Sequence, residues 1–333
     1  MTVALNQEVQ TAISALAHRD LRHIFLVGCG GSLSIMHTGK YFLDRHSVTL
    51  ACDLYNADEF VCRDPARLGP GALVLLCSQT GATVETLRAA EHARQRGALT
   101  VGMTLDLLSP LAKCVDVAVP YESSYATGAP IDAAKSNYGV LLSLLAHLLE
   151  MFGGAKLISP LSESLGHLNA VIDRAHGSCS AKLVAYAPRF ARQRTIYTLA
   201  SGAAFGAAYS FAICVLMEMQ WYDSQAIHAN EFFHGPFEVV DKNACFIVLN
   251  GLDQTRRLTE RARAFLLKFG APENILILDA MDLDMTDIDE AFRPYLAPLI
   301  LFDVLWRFAY WLADLRQQPM LEGRRYMKKI ANY

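Results

Sequence analysis

Ile24-Phe25-Leu26-Val27 passes without a break into Gly28-Cys29-Gly30-Gly31-Ser32, and a helical pattern follows to about Leu43. Four apolar residues in a row leave neither face of a strand polar, which suits a parallel strand covered by helices on both sides. A glycine-rich turn from such a strand into a helix opens a doubly wound sheet. Outward from here the alternation recurs. Strand-like segments at 48–54, 72–77, 100–104 and 115–119 are separated by helical ones at 57–62, 83–96 and 109–113, and a long helix over about 132–152 closes this half. A further short amphipathic helix is expected over 7–19.

The pattern then starts again. Ile196-Tyr197-Thr198-Leu199-Ala200 leads into Ser201-Gly202 and an unusually apolar helical stretch from 203 to about 219. Strands are expected near 224–228, 244–249 and 274–278, and helices near 255–269 and 295–315. Asn56-Ala57-Asp58-Glu59-Phe60 is echoed by His228-Ala229-Asn230-Glu231-Phe232, each after the second strand of its half. Together with the matching strand–glycine–helix openings, this echo argues for a duplicated domain. The expected organisation is α/β: an N-terminal helix within 1–20, a first domain over 21–155, a helical crossover over 156–190 and a second domain over 191–333. Each domain would be a parallel sheet flanked by helices.

Composition narrows the function. A chain of 333 residues, 53% apolar and 19% charged, has material for about two cores and is not disordered. Thirty basic against 33 acidic residues, with no basic cluster, exclude a nucleic-acid partner held by phosphate neutralisation. The eight cysteines form no CxxC pair and several lie in apolar runs, so reduced core thiols and a cytoplasmic location are expected, without a metal. Residues 1–8 lack a signal-peptide pattern, and the apolar stretch 295–314 contains Asp303 and Arg307, which fits a buried helix better than a membrane span. Gly28 and Gly30 begin a dinucleotide fingerprint, but Leu33 stands where its third glycine belongs, and no P-loop occurs. No cofactor is expected.

Two places carry chemistry. Ser78-Gln79-Thr80-Gly81-Ala82-Thr83 follows the third strand and enters a helix. Hydroxyls and an amide at the positive end of a helix suit an anion, and four donor side chains in six residues exceed what a helix cap needs. Ser32 in the first glycine turn offers another donor. In the second half, Glu218 ends the apolar stretch, where desolvation and the helix dipole favour its protonated form, as a proton-transferring carboxyl requires. The other reading is a carboxylate paired with a buried arginine. Sixteen residues later, His234 precedes Gly235-Pro236, which ends any helix and places the ring at a loop edge. The neighbouring Phe232-Phe233 pair reads equally well as packing.

Cys29-Gly30-Gly31-Ser32, Ser78-Gln79-Thr80-Gly81 with Thr83, and above all Glu231-Phe232-Phe233-His234-Gly235-Pro236 resemble the sugar isomerase (SIS) family in its two-domain form, over about residues 20–333. The resemblance implies two flavodoxin-like sheets and a homodimer, or a higher oligomer, that shares its active sites. By similarity to the isomerase half of glucosamine-6-phosphate synthase, Ser32, Ser78, Gln79, Thr80 and Thr83 would hold a sugar phosphate beside Gly31. Glu218 and His234 would be the acid–base pair, and Glu231 would stand at the substrate rim. There are departures. The family's E-x-T becomes Ala82-Thr83-Val84, no glutaminase segment is expected, and the C-terminal lysine falls at Lys328 or Lys329 in a different tail.

That tail, with Met217-Glu218-Met219-Gln220-Trp221, His228 and Glu231–Glu238, is similar to the bacterial deglycases of phosphorylated Amadori compounds, among them those of 6-phosphofructose-aspartate and fructoselysine 6-phosphate. What this implies is release of glucose 6-phosphate and an amino acid from a fructosamine 6-phosphate. His234 would abstract the proton and Glu218 would return one, with the reverse assignment open. Arg324 and Arg325 would meet the amino acid's carboxylate, unless they serve a structural ion pair. An aldose–ketose isomerase and a non-catalytic sugar-phosphate sensor are the competing readings.

Overall fold

The structure, a computed structural model, describes residues 7–17, 20–127, 129–154, 156–327 and 329–330. The chain divides into two units, residues 1–169 with 287–289 and residues 170–286 with 290–333.

The first unit runs α1 (Gln7–Leu16), β1 (His23–Gly28), α2 (Gly31–His46), β2 (Ala51–Asn56), α3 (Ala57–Arg63), β3 (Ala72–Cys77), α4 (Val84–Gln95), β4 (Leu99–Thr104), α5 (Pro110–Cys114), β5 (Val117–Pro120), α6 (Ser124–Thr127), α7 (Asn137–Gly153) and α8 (Ile158–Gly166). All five strands are parallel, in the order β2-β1-β3-β4-β5. Strands β1, β3 and β4 are buried along their whole length, which is why their sequences read as unbroken apolar runs. The second strand starts three residues later than the apolar pattern indicates. Val48 is 97% exposed in the preceding turn, and pairing begins only where Ala51 meets His23.

The second unit holds nearly all of α9 (Leu168–Phe190), then β6 (Thr195–Ala200), α10 (Phe205–Tyr209), β7 (Asp223–His228), β8 (Cys245–Asn250), α11 (Arg256–Phe269), β9 (Ile275–Asp279) and α12 (Arg293–Arg316). Its four parallel strands lie in the order β7-β6-β8-β9. In both units the second strand flanks the first and the third lies on the other side, so the repeated sequence pattern is a repeated topology. The echoed pentapeptides play matching parts: Ala57 and Phe60 are fully buried after β2, as Ala229 and Phe232 are after β7. Helix α12 is long and apolar enough to cross a membrane, but 78% of its most apolar window is buried, which marks it as a core helix.

The apolar stretch after β6 is not one helix. A 3-10 turn (Gly202–Ala204) leads into α10, and Ser210–Met217 is a π-helix, with the Glu218 N–H donating to the Ile213 carbonyl at 3.1 Å. A π-turn holds an extra residue, which rotates every following side chain by about 100° relative to an α-helix. Nothing in the apolar composition marks this change of period.

Candidate active site

In an open parallel sheet, ligands bind beyond the carboxyl ends of the strands, where the strand order reverses. In the first unit that point lies between β1 and β3, where Gly28 pairs with Cys77, so the turn 28–32 and the loop 78–83 leave the sheet side by side. The Ser32 hydroxyl bonds to the Cys77 thiol, bringing Ser32 to the start of the second loop. Burial pushes that thiol up to about 11, partly offset by bonds from Ser32 and Tyr121, so Cys77 is no nucleophile at neutral pH.

Ser78 is buried, and its hydroxyl lies 2.9 Å from that of Thr83, the N-cap of α4. Thr83 thus spends its hydroxyl across the loop and makes no cap bond to the helix. Among the described residues, the N–H groups of Gln79, Thr80 and Thr83 make no backbone hydrogen bond, and the first turn of α4 adds its own unused donors. The Thr80 side chain is exposed and its Oγ1 accepts from the Ala82 N–H at 3.3 Å, while Gln79 donates to Ser123 at 3.4 Å. Gly81 holds the bend at φ 62°, and a Cβ there would strike the Ser109 side chain. Ser78, Gln79, Thr80 and Thr83 therefore share one loop, and Ser32, in the first turn of α2 behind Gly31, adjoins it in the same unit. Asp53, at the distance beyond Gly28 where a dinucleotide fold carries its ribose-binding acid, bonds to His23 at 2.9 Å.

The second unit fills its corresponding place from within. Asp253, 4% exposed in the loop after β8, accepts from the Ala203 N–H at 3.0 Å, the Thr255 N–H at 2.8 Å and the Thr255 hydroxyl at 2.6 Å. Gly202, at φ 56°, is required because any side chain would run into this carboxylate. The chain's own anion thus takes the Ala203 and Thr255 donors at the switch point of the second sheet. Sequence reasoning passed over Asp253, although a lone acid in the loop after the third strand is a readable signal.

Glu218 sits just past the π-helix with its side chain 20% exposed, and Arg324 Nη1 donates to its Oε1 at 3.0 Å. Of the two readings of Glu218, the structure shows the paired one; the isolated carboxyl in apolar surroundings is corrected. Arg324 comes from the C-terminal tail, 106 residues away. The tail is fastened to the turn after Glu218: Gln220, fully buried, donates to the Gln318 carbonyl at 2.9 Å, Gln318 donates to the Met219 carbonyl at 3.3 Å, and the Arg316 guanidinium covers the Tyr222 ring at 3.9 Å. Glu218, Arg324, Arg325, Met217, Trp221, Tyr326 and Met327 line a cleft of about 400 Å³. Lys328 lies outside the described residues, and Lys329 donates to the Glu322 carbonyl at 2.8 Å.

His234 does not line this cleft. It is exposed, follows the 3-10 turn Glu231–Phe233, and its N–H donates to the Glu231 carbonyl at 2.9 Å. Glu231 is likewise exposed. The loop is anchored from below by rings: Phe232, fully buried, and Phe233 each pack on Phe265, at 5.7 and 5.8 Å between centroids, and Phe237 joins them at 5.7 Å. The aromatic pair is packing, and its role is to hold the His234 turn at the sheet's carboxyl edge. Among the described residues no His, Cys, Asp and Glu cluster could hold a metal ion.

Known proteins agree with this architecture. Residues 18–148 match the SIS domain model. The chain is 44% identical to fructosamine deglycase FrlB of Bacillus subtilis (strain 168), over 99% of this chain and 98% of that protein. It is 28% identical to fructoselysine 6-phosphate deglycase of Escherichia coli (strain K12), over 98% of this chain and 91% of that one. Among solved structures, a Bacillus subtilis protein named for a phosphosugar isomerase superposes with a TM-score of 0.95 at 43% identity, covering 99% of each chain. The C-terminal domain of a Francisella tularensis glucosamine-fructose-6-phosphate aminotransferase shares the fold at a TM-score of 0.74 and 18% identity. With two topologically matched parallel sheets and a relative of this closeness along its full length, the chain belongs to the SIS-domain family, in its deglycase branch.

Proposed function

We propose that the protein is an enzyme that deglycates phosphorylated Amadori compounds, turning a fructosamine 6-phosphate of an amino acid into glucose 6-phosphate and the free amino acid. The observation that carries this reading is the full-length 44% identity to a fructosamine deglycase, and the site chemistry supports it. Neutral donors on the two loops, Ser32, Ser78, Gln79, Thr80 and Thr83 with the neighbouring Gly31, bind the phosphate. Glu218 and His234 move the protons, and Glu231 stands at the rim of the sugar.

The C2 carbonyl of the open-chain substrate acidifies the C1 protons, so no cofactor is required. One group removes a proton from C1 while O2 takes one up, giving the enaminol; a proton is then delivered to C2 as the nitrogen loses its own, giving an imine at C1; water adds to that imine, and the protonated amine leaves to give the aldehyde. The hydrogen bond that Glu218 Oε1 accepts from Arg324 orients the carboxylate as an acceptor group in the cleft and supports Glu218 as the group that takes the C1 proton. His234, exposed and unencumbered by a side-chain hydrogen bond among the described residues, then opens the ring and supplies the proton at C2. This is the reverse assignment that the sequence left open.

The same reading makes the protein a cytoplasmic homodimer with shared active sites. Exposed Ile213 and Met217 on the π-helix and Tyr310, Trp311 and Leu315 on α12, two helices in contact within the second unit, supply apolar surface for a second subunit. The function is tested by incubating the protein with fructosamine 6-phosphates of several amino acids and following glucose 6-phosphate with a coupled dehydrogenase. Release of hexose phosphate and amino acid in equal amounts is expected. Interconversion of unsubstituted hexose phosphates without activity on the adducts would replace the deglycase with an isomerase.

A further inference from the structure

Trp221 is the one bulky residue of the cleft in the left-handed region, at φ 56°, where a side chain of this size is a true outlier. Such a conformation persists only when its surroundings hold it. Here the flanking residues are both fixed, Gln220 by its bonds to Gln318 and Met320, and Tyr222 by the Arg316 guanidinium over its ring. The result is an indole 39% exposed at the cleft wall, with the Arg325 guanidinium stacked 3.8 Å above its centroid.

The two neighbouring arginines are differently engaged. Arg324 donates through Nε to the Leu321 carbonyl and through Nη1 to Glu218, so its guanidinium is committed to the protein. Arg325 makes no hydrogen bond to a carboxylate or carbonyl among the described residues, and stacking occupies only the face of its guanidinium. The edge, which carries the N–H fork, stays available in the geometry that a carboxylate accepts bidentately. Between that fork and the Glu218 carboxylate the walls are Met217, Trp221, Tyr326 and Met327. One cleft thus joins a proton acceptor to an unspent planar cation through apolar sides.

We infer that Arg325, held flat by the strained Trp221, is the receptor for the α-carboxylate of the departing amino acid and selects amino-acid adducts over those of simple amines. The inference rests on the deglycase reading above. Arg325 touches the leaving group and takes no part in proton transfer. Trp221 acts through Arg325 and is a positioning residue.

The test compares kcat/KM for two fructosamine 6-phosphates that differ only in this carboxylate, those of valine and of isobutylamine. The wild type should prefer the valine adduct by on the order of 10- to 100-fold, the range for a charge-assisted bidentate contact. Arg325→Ala and Arg325→Gln should each reduce that ratio to about threefold or less, chiefly through KM of the valine adduct, whereas Arg325→Lys, which keeps the charge and loses the fork, should fall between. Trp221→Leu should lower the ratio as well, since the platform goes and the cation remains. Equal wild-type rates on both adducts, or Arg325 variants that leave the ratio unchanged, overturn the carboxylate receptor while leaving the deglycase in place. Release of no hexose phosphate from either adduct removes the deglycase reading, and the receptor falls with it.

Discussion

Arg324 and Glu218 form a hydrogen-bonded ion pair of 3.0 Å, with side chains only 14% and 20% exposed, between the end of the π-helix and the C-terminal tail. The pair does two things. It fixes the orientation of the carboxylate that faces the cleft, and it ties the tail that carries Arg325 to the second unit. Removing either partner strands the other in a mostly buried place, so the proposed proton transfer and the local order should both depend on the contact.

Glu218→Gln should lower kcat by about 10²–10⁴-fold, the usual contribution of a positioned acid or base. The amide keeps the shape and a bond to Arg324, so folding by circular dichroism and binding of glucose 6-phosphate should stay near wild type. Retained turnover would remove Glu218 from the reaction.

His234→Asn should abolish turnover to a similar extent without lowering the melting temperature. The imidazole is exposed, and the turn is held by Phe232, Phe233 and Phe237 on Phe265, none of which the substitution touches. A variant that melts well below wild type would show that the ring is structural.

Ser78→Ala combined with Thr83→Ala deletes two hydroxyls that face each other at 2.9 Å in the first unit. Each neutral donor contributes about 0.5–1.5 kcal/mol, so affinity for sugar phosphates should fall about 5- to 150-fold, while weak binding of unphosphorylated sugars is unchanged. Titration calorimetry with fructose 6-phosphate and fructose separates the two. Equal losses for both sugars would place the phosphate elsewhere.

Asp253→Ala should destabilise the second unit by about 3 kcal/mol, because the Ala203 and Thr255 N–H groups and the Thr255 hydroxyl lose their buried acceptor together. Denaturant titration should show the loss, and Asp253→Asn, which keeps an acceptor oxygen, should recover part of it. A neutral Asp253→Ala would mean that water satisfies those donors.

Stability should also fall on acidification through His37, whose burial lowers its titration from 6.5 to about 4. The unfolded chain binds this proton more readily between those values, so stability is fully present above pH 6.5 and declines as pH drops toward 4, at up to about 1.4 kcal/mol per pH unit. His37→Gln should flatten that part of the stability–pH curve measured by denaturant titration. A curve unchanged by the substitution would assign the acid sensitivity to other groups.

The fold was legible in the chain because burial on both faces leaves a local record. Ile24–Val27, Ala72–Cys77 and Cys245–Leu249 are apolar without alternation since helices cover both sides of those strands, and the turn residues 28–32 and 78–83 follow from the need to leave a buried strand through a tight, donor-rich bend. The residue types at the candidate site were legible too, as Ser78, Thr83, Glu218 and His234 are chemically conspicuous where they stand. What no local pattern holds is who meets whom. The π-helix that turns Glu218, the left-handed backbone of Trp221, the closure of the second sheet's switch point by Asp253 and the arrival of Arg324 at Glu218 from 106 residues away each depend on contacts between distant segments. Composition and periodicity report how much of a segment is buried; which charge answers which is settled only when the folded chain has excluded water between them.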